Sequence, residues 1–189
     1  MKIEGRKPGP APDARRLREA ALAHLARFAA TEAGLARVLT RRVERWARSM
    51  EDAEAALPQR QAALAAIPGI ISELRALGAL NDEAFAASRA RRLARSGKSR
   101  RAAIVHLAAN GIDAGLAAAA TESQAAQDLA SACAYLRRRR LPPFGAGDAL
   151  KAMAALARNG FDRDTAERAL ALDAESAEAL VIALRRGET

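Results

Sequence analysis

At 189 residues the chain is long enough for one compact domain or a short array of small ones, and its formal net charge of +9 with a pI near 11.0 points to a polyanionic partner: nucleic acid, a nucleoprotein assembly or an acidic protein surface. Half of the residues are hydrophobic, but much of that half is alanine, only 3% are aromatic, and no alternating run of β-branched residues occurs, so an all-α fold packed through small side chains is expected. The single cysteine, Cys133, excludes an internal disulfide, His24 and His106 share no metal-ligand spacing with it, and the absence of a long apolar run or an apolar leader in MKIEGRKPGPAPD leads to the expectation of a soluble, cytoplasmic protein without membrane contact.

Residues 1–12, with Pro8, Pro10 and Pro12, read as a disordered tail. Asp13 is placed to cap a helix bearing Leu17, Ala21, Leu25 and Phe28, and Thr31-Glu32 opens a second with Leu35, Val38, Leu39 and Val43 that runs on through Trp46. Residues 49–68 depart from this pattern, with Glu51, Asp52 and Glu54 followed by Pro58 and Pro68, and read as an insertion with a helical patch. Ile70, Ile71, Leu74 and Leu77 then form a further helix ending at Gly78, which makes 13–80 a degenerate three-helix unit.

Asn81 or Asp82 can cap a helix from about Glu83 to Ser96, ended by the permissive backbone of Gly97. Lys98, Ser99 and the following arginines begin another helix, whose buried stripe is expected at Ala103, Ile104, Leu107 and Ala108. Asn110-Gly111 stops it, Ile112 is placed for the apolar contact of such a stop, and Asp113 caps an alanine-rich helix reaching about Thr121, which closes a second three-helix unit at 81–121. A third unit, 122–189, begins with a helix from Gln124 to about Arg140 carrying Leu129, Cys133 and Leu136 inward and stopped by Pro142-Pro143. A turn at Phe144-Gly-Ala-Gly leads to a helix capped by Asp148 and bearing Leu150, Met153, Ala154 and Ala157, and Asp162 opens the last stretch, through Leu170 with further helix toward Leu184. The heptads Leu107-Ala-Ala-Asn-Gly-Ile-Asp113 and Leu156-Ala-Arg-Asn-Gly-Phe-Asp162 share five of seven residues at an offset of 49, which reads as an internal repeat of stacked three-helix units.

Positive charge gathers in two places. Arg89, Arg91, Arg92 and Arg95 are followed by Lys98, Arg100 and Arg101, and Arg137, Arg138, Arg139 and Arg140 occupy the corresponding helix end of the next unit. Planar guanidinium forks suit phosphate and carboxylate oxygens, so these residues are the candidate binding surface, against the plainer reading of a solvated face with cations at helix C-termini. Base-specific readout does not follow from such a pattern. Gly97-Lys98-Ser99 resembles the end of a phosphate-binding loop, but Arg92 stands where that motif needs glycine. No carboxylate pair, activated nucleophile or zinc ligand set occurs, so neither an enzyme nor a cofactor is expected.

The succession Ile70-Ile-Ser-Glu-Leu-Arg-Ala-Leu-Gly, Leu80-Asn-Asp-Glu-Ala-Phe-Ala86, an arginine-rich helix, Gly97-Lys-Ser-Arg-Arg, another helix and Asn110-Gly-Ile112 resembles the RecX family of recombinase regulators, in the form found in alphaproteobacteria. The resemblance runs from about Ile70 through Leu172 and is strongest up to Ala120. It implies tandem three-helix repeats in an elongated, curved helical array. It also implies binding to the RecA filament on single- or double-stranded DNA by a monomer, with inhibition of strand exchange, ATP hydrolysis and the coprotease activity behind the SOS response. The alternative is a general basic helical DNA-binding protein without recombinase specificity, its units acting like helix-turn-helix modules.

Overall fold

The computed structural model describes residues 9–187, and every regular element among them is an α-helix. Positions 1–8 of the expected tail, and the last two residues of the chain, lie outside the described residues, while Gly9–Pro12 carry no regular structure. Two compact units divide the chain between Asp82 and Glu83.

The first unit contains α1 (Ala14–Leu25), α2 (Glu32–Arg48) and α3 (Ala53–Ala76). Each begins on a short polar side chain that accepts a hydrogen bond from an otherwise orphaned first-turn N–H: Asp13 from Arg16 at 2.8 Å, Thr31 from Gly34 at 2.8 Å and Asp52 from Ala55 at 2.9 Å. Leu17 and Ala21 of α1, Leu35, Leu39 and Val43 of α2, and Ile67, Ile70, Ile71 and Leu74 of α3 close one core. Phe28, expected on the α1 stripe, lies beyond the end of that helix and is 54% exposed.

The helix expected after Pro68 is not separate from the segment before it, because α3 runs unbroken through Pro58 and Pro68. A proline inside a helix removes one hydrogen bond and costs roughly 3 kcal/mol, whereas each large aliphatic side chain fully buried contributes about 1.5–3 kcal/mol. The stripe Ala56, Ala63, Ile67, Ile70, Ile71 and Leu74 outweighs the two breaks. Leu77 falls off that stripe at 65% exposed. Of the two candidate caps for the next helix, Asp82 turns its carboxylate to the Glu32 N–H, at 2.9 Å, and so satisfies the first turn of α2, while Asn81 directly precedes the helix that starts at Asp82.

The second unit contains α4 (Asp82–Arg95), α5 (Arg100–Ala109), α6 (Ala114–Ala120), α7 (Gln124–Arg139), α8 (Ala149–Arg158), α9 (Arg163–Ala171) and α10 (Ala174–Arg186). Asp113, Asp148 and Asp162 cap α6, α8 and α9 as their sequence positions predict, Ser99 caps α5, and Asp173 gives α10 a start of its own. The two similar heptads make the same helix stop. Ile112 donates to the Leu107 carbonyl at 3.1 Å and Gly111 to Ala108 at 2.8 Å, while Phe161 donates to Leu156 at 3.3 Å and Gly160 to Ala157 at 2.9 Å. Ile112 and Phe161 are both buried behind these stops.

Helix α7 is the axis of this unit, with α5, α8, α9 and α10 packed against it and an unbroken buried run from Ala130 to Leu136. Neighbours on all sides are possible because most of that run is small. The exposed Leu150, at 81%, and the exposed Ala108, Ala154 and Ala157 correct the expected stripes of α5 and α8, which bury Ala103 and Leu107, and Ala152, Ala155 and Leu156. Where alanine fills most positions, two neighbouring faces of a helix are almost equally apolar, and the tertiary contacts choose between them.

Gly97 ends α4 with φ +76° and lies so close to α7 that a Cβ there would sit 2.7 Å from the Tyr135 backbone nitrogen. Arg140 fills the equivalent left-handed position at the end of α7 with φ +53°, which strains a residue bearing a Cβ. Gly97→Ala is expected to destabilise the second unit by about 3 kcal/mol, from backbone strain and overpacking together. Arg140→Gly should leave stability unchanged or raise it by up to about 1 kcal/mol. Denaturant midpoints of the two variants, read against the parent chain, check the opposite signs.

Candidate functional site

An α-helix advances 100° per residue, and that period spreads the α4 arginines around the helix. Ala86, Ala90 and Ala94 form the buried stripe. Arg91 and Arg95 lie on one flank, Arg89 on the other, and Arg92 on the side away from the core, so the cluster legible in the sequence is not one face in space. Arg91, Arg92 and Arg95 are exposed, as are Arg101, Arg138, Arg139 and Arg140.

The remaining four candidates are half-buried and hold the unit together. Arg89 donates through Nε to His106 Nε2 at 2.9 Å, which couples α4 to α5. Lys98 reaches the Asn159 side-chain oxygen at 2.8 Å, beside the Ser99 hydroxyl on the Asn159 carbonyl at 3.1 Å. Arg100 donates from its backbone to the Asp128 carboxylate at 2.8 Å and from Nε to the Thr121 carbonyl at 3.0 Å. Burial pushes the Asp128 carboxyl above its ordinary range, against the hydrogen bond from Arg100. Arg137 pairs with Glu178 of α10.

Two of the exposed arginines also have partners. Arg138 donates to the Ser96 carbonyl and lies 5.8 Å from the Tyr135 ring centroid, and Arg139 lies 6.0 Å from the same ring. Arg91, Arg92, Arg95 and Arg101 make no ion pair among the described residues.

A groove of about 320 Å³ lies between α4, the start of α7 and the end of α10, with Arg91 and Arg95 on one wall and Arg185 and Arg186 on another. Sequence reasoning did not single out Arg185 and Arg186, although a basic pair in a last helical turn was visible; only the packing of α10 beside α4 makes them partners of Arg91 and Arg95. Arg100 and Arg101 border a different hollow, shared with the carboxylates of Asp128 and Asp162 and therefore less positive.

Cys133 is fully buried, and burial pushes its thiol up to about 11, which makes it an inert core residue. No group of three potential metal ligands occurs among the described residues, and no described helix is long and apolar enough to cross a membrane.

No family model matches the chain. It is 35% identical over 164 residues to a protein of Myxococcus xanthus (strain DK1622) named "Regulatory protein RecX", a match covering 82% of this chain and 83% of that one. The crystal structure of RecX from Lactobacillus salivarius superposes with a TM-score of 0.55, covering 85% of this chain and 96% of that one at 22% identity, a likeness of fold.

The Arg89–His106 hydrogen bond requires a neutral imidazole whose Nε2 accepts. Burial first, then the charges of Arg89 and Lys98, hold His106 below the ordinary imidazole value of 6.5. The unfolded chain therefore binds the extra proton at higher pH than the folded one, and stability is lost as pH falls through about 6.5, with a slope bounded by about 1.4 kcal/mol per pH unit. Comparing denaturation midpoints of the parent and His106→Gln between pH 7.5 and 5.5 checks this, the parent being expected to lose stability faster toward the acid end.

Proposed function

Since the chain belongs to the RecX family, we propose that it regulates the RecA recombinase by binding the RecA–DNA filament in the cytoplasm and lowering its strand-exchange, ATP-hydrolysis and coprotease activities, acting as a monomer without catalysis of its own. The observation that carries the reading, beside family membership, is the set of exposed arginines with no ion pair among the described residues, Arg91, Arg92, Arg95 and Arg101. Permanently charged, bidentate donors suit the phosphates of bound DNA and the carboxylates of a protein filament alike. Arg138, Arg139 and Arg140 add exposed positive charge at the end of α7. Arg89, Lys98, Arg100 and Arg137 take the supporting part, through the hydrogen bonds that fix α4, α5 and α7. The modules of the reading are the three-helix repeats at 13–80 and 81–121 and a third repeat with its C-terminal helix at 122–189, each offering basic helix ends to a repeating partner, so that many weak contacts add along the filament.

A titration of this protein into cognate RecA hydrolysing ATP on single-stranded DNA tests the reading. Inhibition is expected at protein concentrations far below that of DNA sites, because action on a filament is amplified along it. Inhibition only near saturation of the DNA would mean simple competition for phosphates, and the general DNA-binding alternative would replace the proposal. Arg91, Arg92 and Arg95 changed together to glutamate should retain helicity and weaken inhibition by at least roughly tenfold, the scale of one lost charge-assisted contact of about 1.4 kcal/mol or more.

A further inference from the structure

We propose that the groove between α4, α7 and α10 is a phosphate-binding site that holds the backbone of a nucleic-acid strand, with Arg185 and Arg186 as binding residues alongside Arg91 and Arg95. The proposal deepens the filament reading and rests on it for the identity of the strand; the phosphate chemistry is read from the groove itself.

Four guanidinium groups line this one hollow, and among the described residues no carboxylate does. Arg91 and Arg95 stand one helical turn apart on the same flank of α4, an arrangement that costs roughly 0.2–0.5 kcal/mol in an isolated helix, and nothing acidic in the lining offsets it. Arg91, Arg95 and Arg185 form no ion pair among the described residues, whereas Arg137, Arg163 and Arg168 of the same unit each have a carboxylate partner. An anion entering the groove removes the repulsion that the chain leaves in place.

The third wall supports the same charge preference. Helix α7 is 16 residues long and starts at the groove without a side-chain cap, since Ser123 has helical backbone angles and its hydroxyl makes no capping hydrogen bond. The N–H groups of Gln124 and Ala125 donate instead to the Thr121 and Glu122 carbonyls, so this helix end adds to the hollow only the diffuse positive potential of its dipole.

Gln124, the first residue of α7, supplies the independent observation. It is 2% exposed, and its Nε2 is committed to the Ala90 carbonyl, which fixes the orientation of the amide; its Oε1 is buried with no hydrogen-bond partner among the described residues. An orphaned buried acceptor is costly. The ligand that answers all of these groups carries phosphate oxygens for the arginines and an N–H donor for the amide. A nucleotide unit carries both, the phosphodiester on one side and a base imino or amino group on the other.

The test uses the full chain without recombinase and a short fluorescent oligothymidylate as the probe, with fluorescence anisotropy as the readout. Arg185→Glu with Arg186→Glu is expected to weaken binding at least tenfold and to flatten the salt dependence, with the circular dichroism of the parent retained. Arg163→Glu with Arg168→Glu, a pair already matched to carboxylates on α9, should change affinity less than twofold. ATP or inorganic triphosphate displacing the strand at micromolar concentration would assign the site to free polyphosphate; displacement only at millimolar concentration is expected for a strand site. Equal losses in both double variants, or an oligoglutamate peptide binding as tightly as the oligonucleotide, would overturn the proposal. If the Arg185/Arg186 variant binds the strand like the parent and still inhibits filament ATP hydrolysis, the groove assignment falls while the filament reading stands. If the variant loses the strand and the parent never acts on a filament, the groove stands and the filament reading falls.

Discussion

The second unit depends on a close approach of backbones at its helix stops. Gly97 meets the backbone of Tyr135 in α7, and Gly160, with φ +87°, brings the end of α8 against the start of α5, where a Cβ would sit 2.5 Å from Ser99 Oγ. At that junction the Asn159 carbonyl accepts from Ser99, and the Asn159 side chain accepts from Lys98. Two conditions meet in one residue type: a left-handed turn that closes the helix, and the lack of a side chain that would hold the next helix away.

This junction determines which positive charges are free. Lys98 and Arg100 follow the α4 stop, and the same turn that ends α4 carries them into contacts with Asn159, Asp128 and Thr121. Arg91 and Arg95, about two turns and one turn earlier, are left facing a groove. A run of basic residues continuous in sequence is thereby divided into a structural part and an available part, and the division follows the helical period and the position of the stop.

Much of the fold was legible because helix boundaries are written in local chemistry. Asp13, Thr31, Asp113, Asp148 and Asp162 cap helices as short polar side chains in front of apolar periodicity do. The choice between Asn81 and Asp82 was left open by the sequence because the hydrogen-bond donor to Asp82, Glu32, is fifty positions away in the chain, and no local rule reports such a partner. Prolines 58 and 68 were read as breaks because their cost is local and the burial that outweighs it is tertiary. Leu150 and Ala154 were placed inward because alanine-rich helices carry too little contrast between faces. The groove was half legible: Arg91 and Arg95 lay in a visible cluster, but Arg185 and Arg186 join them only through the packing of α10.

The alanines of α4 and α7 have a consequence for how this chain tolerates change. Ala86, Ala90, Ala94, Ala130 and Ala132 are at most 3% exposed and already near the smallest side chain possible, so truncation has almost nothing to remove. Enlargement is the dangerous direction, because each added methylene must push apart helices whose separation also sets the alignment of the arginines. Sequence drift in this core is therefore one-sided. A substitution that would pass as conservative in a leucine-rich core would here widen the spacing on which the charged surface depends.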